Sequence, residues 1–161
     1  MPPVEIHLAL NHVPVVGFAG VLAILIWGMF RRSEDVQRLA LAACVAVALL
    51  TIPVYRTGEP AEDVAEKLPG VTHEVIEAHE EAAEPAFIAA SICGGAALLG
   101  LVLWRNPARR AFAVRATLVL CIAAAVLIGR TALLGGQIRH TEVRDGFSPP
   151  AAAQAAESDD N

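Results

Sequence analysis

The chain has 161 residues, of which 55% are hydrophobic and only 18% charged, and its formal net charge is −5. This composition excludes an ordinary soluble domain, in which about 25% of residues are charged, and it favours an integral membrane protein. The acidic balance, with neither a basic stripe nor an aromatic platform, predicts that the protein binds no nucleic acid.

Four apolar runs are each long enough to cross about 30 Å of hydrocarbon as a helix. They cover about residues 13–30, 36–55, 85–104 and 108–134. The polar segment 56–84, between the second and third runs, holds more than half of the acidic residues. The sequence therefore predicts an all-α fold over residues 1–144: an integral membrane four-helix bundle with a short helical extracytoplasmic cap. The tail 145–161, rich in Ala, Pro, Ser and Asp, is predicted to be disordered.

Capping residues predict where the helices begin and end. Ser33 and Asn106 are expected to cap the second and fourth spans, because both are side chains that accept hydrogen bonds at helix starts. In the cap, Pro69-Gly70 separates two short helices, and Thr72 is expected to cap the second, which continues into the third span. Gly135-Gly136 is expected to end the fourth helix near residue 134.

The distribution of charge predicts the orientation in the membrane. Four spans place the two short loops on one side, and both termini and the polar segment on the other. Including the span ends, the short-loop side carries seven arginines and two acids, a net charge of +5, whereas the other side carries −10. Because basic residues near span ends remain in the cytoplasm, the short loops are predicted to be cytoplasmic. Both termini are then periplasmic, and the protein lies in the bacterial inner (cytoplasmic) membrane.

All five histidines fall on the predicted periplasmic side. Imidazole nitrogens bind Zn, Cu, Fe and haem iron, so histidines from separate stretches could form a metal or haem centre at this rim. The predicted ligands, including two acids of the cap, are His12, His79, His140, Glu77 and Glu80. The alternative is that these are exposed or hydrogen-bonded interfacial histidines, because their spacing forms no recognised ligand motif. A haem deep in the bundle is not predicted, since no histidine lies in mid-span.

Two arginines form a second group of candidate functional residues. Arg56 and Arg130 lie at the outer ends of predicted spans, where an unpaired buried charge is costly. The structural interpretation is a clamp of salt bridges that holds the cap on the bundle, and its acids would be Glu59, Glu62 or Glu142. The functional interpretation is contact with an anionic ligand, such as a haem propionate, or with a quinone carbonyl.

Several motifs carry a resemblance to a known family. LNHVPVVG, TGEPAEDVAEKLPGV, HEVIEAHEEAAE and GGQIRHTEVR resemble those of a family of small bacterial four-span membrane proteins of the domain-of-unknown-function kind. The likeness covers about residues 5–144, and it implies no particular activity. It implies only that the motif positions are Asn11, His12, Pro14, Gly58, Glu59, Glu62, Gly70, His79, Glu80, Gly135, Gly136, His140 and Glu142.

The leading hypothesis is an inner-membrane protein with a metal or haem centre at its periplasmic rim, in an electron-transfer context. The alternative is a non-catalytic accessory or structural subunit of a larger membrane complex. The lipid bilayer is the predicted partner, and a larger membrane protein complex or further copies of the chain are the other candidates. A small transporter is less favoured, because the span interiors lack ionisable residues. An enzyme is not favoured, because there is no nucleophile elbow, phosphate loop or catalytic triad. Cys44, Cys93 and Cys121 lie in apolar runs and are predicted to be packing residues rather than a disulfide or redox group.

Overall fold

The computed structural model describes residues 1–144, and the tail 145–161 lies outside the described residues. The helices are α1 (Pro3–Leu10), α2 (His12–Phe30), α3 (Glu34–Arg56), α4 (Gly58–Ala65), α5 (His73–Val102) and α6 (Pro107–Arg139), followed by a 3-10 turn at Thr141–Val143. Residues 1–144 contain no strand. The predicted all-α fold is therefore confirmed.

Four helical stretches are long and apolar enough to cross a membrane, as predicted. They are Pro3–Phe30, Glu34–Arg56, His73–Val102 and Pro107–Arg139. The first stretch combines α1 and α2, because Asn11 keeps helical backbone angles between them (φ −58°, ψ −26°). As a result, His7 and Asn11 lie one helical turn apart on the same face.

The helix starts follow the capping signals. The side chain of Ser33 accepts a hydrogen bond from the amide of Val36 (3.4 Å), and that of Asn106 accepts one from the amide of Arg109 (3.1 Å). Helix α5 begins directly after Thr72, although the Thr72 side chain makes no capping bond. The predicted side-chain caps of Ser33 and Asn106 are confirmed, whereas the capping bond predicted for Thr72 is not formed.

The end of α6 differs from the prediction. The sequence places it near residue 134, but the helix continues through Gly135-Gly136 to Arg139. Glycine is a poor helix former by about 1 kcal/mol relative to alanine, a cost that tertiary contacts can outweigh. Here the contact is with His79, whose ring lies directly against Gly135.

The four long helices pack pairwise: α2 contacts α3 and α6, α3 contacts α5, and α5 contacts α6. Their shared interior is apolar and includes Phe18, Leu25, Leu41, Ala90 and Cys121, all fully buried. Large apolar side chains also point outward, among them Val16, Leu49, Val102, Phe112 and Val126. Apolar residues on both the inside and the outside are expected of helices surrounded by lipid.

One ion pair joins the two short turns. Both guanidinium Nη atoms of Arg110 donate to the carboxylate of Glu34 at 2.6 Å, so the α2–α3 and α5–α6 connections lie at the same end. We call this the turn end. The opposite end contains α1, α4, the start of α5 and the end of α6, together with all five histidines, and we call it the histidine end.

Candidate metal centre

A group of three possible metal ligands forms at the histidine end, between α4 and α5. Glu62 lies in α4, and Glu66 directly follows the last residue of α4, one turn further on. The chain then reverses through Gly70, whose φ of +79° suits glycine. The reversal brings His73, the first residue of α5, back to Glu66. Their Nδ1 and Oε1 atoms are 3.0 Å apart, and one ligand atom each from Glu62, Glu66 and His73 lies within 4.8 Å of the others.

A third carboxyl adjoins this group. The carboxyl of Glu80 in α5 neighbours that of Glu62 closely enough to raise its pKa, and Glu66 lies close as well. The contacts Glu66–His73 and Glu62–Glu80 occur in opposite chain order, so α4 runs antiparallel to the first turns of α5. The result is a strip of acids with one imidazole at its edge.

The strip is crowded with negative charge. Desolvation and the neighbouring carboxyls of Glu80 and Glu66 raise the pKa of Glu62 from 4.5 to about 7. Two carboxylates that share a site do not both ionise easily without a compensating cation, so Glu62 holds its proton more tightly than a free carboxyl does. A bound cation would replace that proton and supply the missing positive charge.

The donor set determines which ion fits. One imidazole nitrogen with two or three carboxylate oxygens is a mixed set that suits Zn²⁺ and other divalent transition metals. An ion about 2.1 Å from each ligand needs ligand atoms no more than about 4.2 Å apart. The side chains of His73 and Glu66 are 71% and 45% exposed, so they are free to rotate into that range. Exposure also leaves a position open to water.

The sequence-predicted ligands are distributed differently. His79 is half-buried and its Nδ1 donates to the carbonyl of Thr131 (2.9 Å), while His140 pairs with Glu142 (2.9 Å). His12 is exposed. Within residues 1–144, the only group of three possible ligand residues with atoms within 4.8 Å of one another is Glu62, Glu66 and His73. Of the predicted set, Glu77 is exposed on the same helix as His73, and Glu80 adjoins the group.

The expected arginine clamp also differs from the arrangement in the structure. In the part of the chain that the structure describes, Arg56 and Arg130 form no ion pair with Glu59, Glu62 or Glu142. Both arginines are exposed, so their charges remain accessible from outside the helices and need no protein partner. Glu142, one of the acids expected in the clamp, pairs with His140 instead.

Arg144 takes the role of the clamp. Its guanidinium donates to the carbonyl oxygens of Gln137 (2.8 Å) and Ile138 (3.3 Å), which α6 leaves free at its C-terminal end. It also donates to the carbonyl of Gly70 (2.8 Å), in the turn between α4 and α5. One cation thus ties the end of α6 to the turn that positions His73.

Two further contacts hold the histidine end together. His7 donates through Nδ1 to the carbonyl of Val54 (3.0 Å), which joins α1 to α3. The hydroxyl of Thr131 donates to the carbonyl of Ala82 (2.8 Å), next to the bond between Thr131 and His79. His7 therefore links α1 to α3, and His79 links α5 to α6, beside the candidate ligand group Glu62, Glu66 and His73.

The sequence-based prediction did not include His73 as a candidate ligand, although signals for it were present. Glu62 and Glu66 share a face of one short helix, and a Pro-Gly turn leads directly to His73. A short helix, a tight turn and a helix start together predict that the chain returns on itself. The antiparallel pairing that selects these three residues depends on the packing of α4.

Searches against protein-family models, curated proteins and solved structures found no match to this chain.

Proposed function

We propose that this chain is an integral protein of the bacterial inner membrane, in which the four long helices form a transmembrane bundle. Support comes from four helices of sufficient length and apolar character and from the outward-facing apolar side chains. The arginine-rich turn end is cytoplasmic in this proposal, and the histidine end, with both termini, is the periplasmic cap. Membership of the four-span family is part of the same proposal.

The function that the geometry supports best is the binding of a divalent transition metal on this cap. The observation that carries it is the convergence of Glu62, Glu66 and His73, with ligand atoms within 4.8 Å of one another. The raised pKa of Glu62 adds a second argument, because neighbouring carboxyls disfavour its ionised form and a bound cation would favour it. Glu80 is close enough to be a fourth ligand and a third oxygen donor.

A metal at this place is accessible from the aqueous side of the membrane. The exposed ligands His73 and Glu66 allow the ion to exchange with solvent or with a partner protein. A redox-active ion such as copper or iron would give the site a role in electron transfer, whereas zinc would give it a structural or carrier role. The identity of the ion in protein purified from its own membrane distinguishes these two roles.

The experiment is a metal titration of the full-length protein in detergent or nanodiscs after removal of metal with a chelator. We expect one equivalent of Zn²⁺ or Co²⁺ per chain, with affinity that rises as pH increases through about 7, because Glu62 must lose its proton. Replacement of a single ligand, His73→Gln or Glu62→Gln, is expected to lower affinity by about tenfold or more.

Matched controls separate this site from the alternatives. His12→Gln removes an exposed histidine, and Glu59→Gln an exposed acid of α4, outside the group, so both variants are expected to bind metal as the unaltered chain does. If His12→Gln abolishes binding while His73→Gln does not, the site is the one expected from sequence. A chain that binds no metal at pH 8 would contradict the proposed function.

A further inference from the structure

Three free thiols are buried in the interior of the protein, and two of them are in contact. Cys44 of α3, Cys93 of α5 and Cys121 of α6 are all fully buried. The sulfur atoms of Cys44 and Cys93 are 3.5 Å apart, and the thiol of Cys93 also donates to the carbonyl of Thr117 in α6 (3.8 Å). The thiol of Cys121 donates to the carbonyl of Phe18 in α2 (3.7 Å).

Helices α3 and α5 approach each other closely beside the first two thiols. A Cβ atom placed on Gly94 would be only 2.4 Å from the Cβ of Ala48. Gly94 is the residue after Cys93, and Ala48 is one helical turn from Cys44. A disulfide requires two backbones that lie near each other, so this close approach favours a bond between Cys44 and Cys93.

We propose that Cys44 and Cys93 form a reversible disulfide that links α3 to α5 inside the bundle, while Cys121 remains a free thiol. The pair Cys44–Cys93 is favoured because its sulfur atoms are already in contact. Both Cys93 and Cys121 donate to a backbone carbonyl of another helix, so the sulfur–sulfur contact is what distinguishes the pair Cys44–Cys93.

The chemistry suits an apolar interior because it leaves no charge behind. The two thiols lose two electrons and two protons as the S–S bond forms. A small uncharged oxidant of the peroxide class accepts them, and hydrogen peroxide is thereby reduced to two molecules of water. Both thiols are fully buried, so the oxidant reaches them slowly and the bond is expected to form slowly. A metal site at these cysteines is disfavoured, because a metal ion and its thiolate ligands would place charges in the apolar interior, where charges are costly.

The bond would join the helices that lead into and out of the cap. Cys44 and Cys93 are 49 residues apart in the chain, and α4 and the turn at Gly70 lie between them. A crosslink that closes a long loop stabilises the folded state mainly by restricting the unfolded chain. The oxidised protein should therefore hold the base of the cap more firmly than the reduced protein does.

The test uses the full-length protein in nanodiscs, treated with hydrogen peroxide and then denatured and alkylated. Mass spectrometry is expected to find the loss of two hydrogens, a peptide crosslink between Cys44 and Cys93, and an alkylated Cys121. A reductant should reverse the change. The oxidised form should melt at least about 5 °C higher than the reduced form.

Single variants check which thiols take part. Cys121→Ala is expected to form the crosslink as the unaltered chain does, whereas Cys93→Ala is expected to form none. The unaltered chain carries the main measurement, so a variant that fails to fold leaves the test intact. Three thiols that remain reduced after prolonged oxidation, a crosslink that includes Cys121, or a lower melting temperature on oxidation would each overturn the proposal.

Discussion

The imidazole of His79 occupies the space that a side chain at position 135 would need. A Cβ atom on Gly135 would lie 2.8 Å from Cε1 and 3.0 Å from Nδ1 of the ring. The ring cannot retreat without breaking its hydrogen bond to the carbonyl of Thr131. The contact therefore requires glycine at this position of α6, and it explains why the helix tolerates a residue that disfavours helices.

Gly135→Ala is the first prediction that follows from this contact. Overpacking at such a site typically costs about 1–3 kcal/mol, so the variant should unfold at a lower temperature or denaturant concentration. Gly136→Ala is the matched control, because nothing lies within 4 Å of its Cβ position. That control should be neutral or up to about 1 kcal/mol more stable, since alanine favours the helix. Equal stability of the two variants would show that the His79 contact is not rigid.

A second pair of neighbouring glycines tests the contact between α3 and α5. Gly94→Ala would place a methyl group 2.4 Å from the Cβ of Ala48, so the two helices would have to separate. We expect a loss of about 1–3 kcal/mol in the free energy of unfolding. Gly95→Ala, which meets no atom within 4 Å, should cause no loss. Unfolding in a detergent of fixed composition compares the two variants, and a destabilised Gly95→Ala would contradict the assigned packing.

The pH dependence of stability is expected to report on Glu62. Its pKa is raised from 4.5 to about 7 in the folded protein, so between these values the folded chain binds more protons than the unfolded chain. Stability of the metal-free protein should therefore fall as pH rises from about 4.5 to about 7. Glu62→Gln cannot ionise, and it should lose less stability over this range than the unaltered chain.

The comparison is made by unfolding the metal-free protein in the presence of a chelator at several pH values. Glu59→Gln serves as the control, because Glu59 is an exposed acid of the same helix outside the crowded strip. Its stability profile should follow that of the unaltered chain. Parallel profiles for Glu62→Gln and the unaltered chain would contradict the crowding of carboxyls at this site.

Arg144 is predicted to hold the turn that positions His73. Arg144→Ala removes the bond to the carbonyl of Gly70 and two bonds to the end of α6. Hydrogen bonds to a charged group contribute about 1.5–3 kcal/mol, so the turn should open more often and be cut faster by a protease. Arg139→Ala, an exposed arginine nearby, is the control. Unchanged cleavage in Arg144→Ala would show that the turn is held by other contacts.

The candidate site could be predicted only in part. The sequence predicted that the histidines and most acids lie at one end of the bundle, and Glu62 and Glu80 were among the candidate site residues. It assigned Glu62 to a clamp with Arg56 and Arg130, which face outward, and it assigned the metal to His79 and His140. Those two imidazoles form hydrogen bonds with the carbonyl of Thr131 and the carboxylate of Glu142. Such partners depend on helix packing and leave no pattern in the sequence.

The sequence by itself determined the number of apolar helices, their capped starts and the concentration of charge at each end. These are local properties, because the length of an apolar run and the residue at a helix start act within a few turns. Tertiary structure alone decided that Glu66 meets His73, that His79 lies on Gly135, and that the thiols of Cys44 and Cys93 meet between α3 and α5. Each of these contacts joins residues from different helices or across a turn, so it depends on how the helices pack.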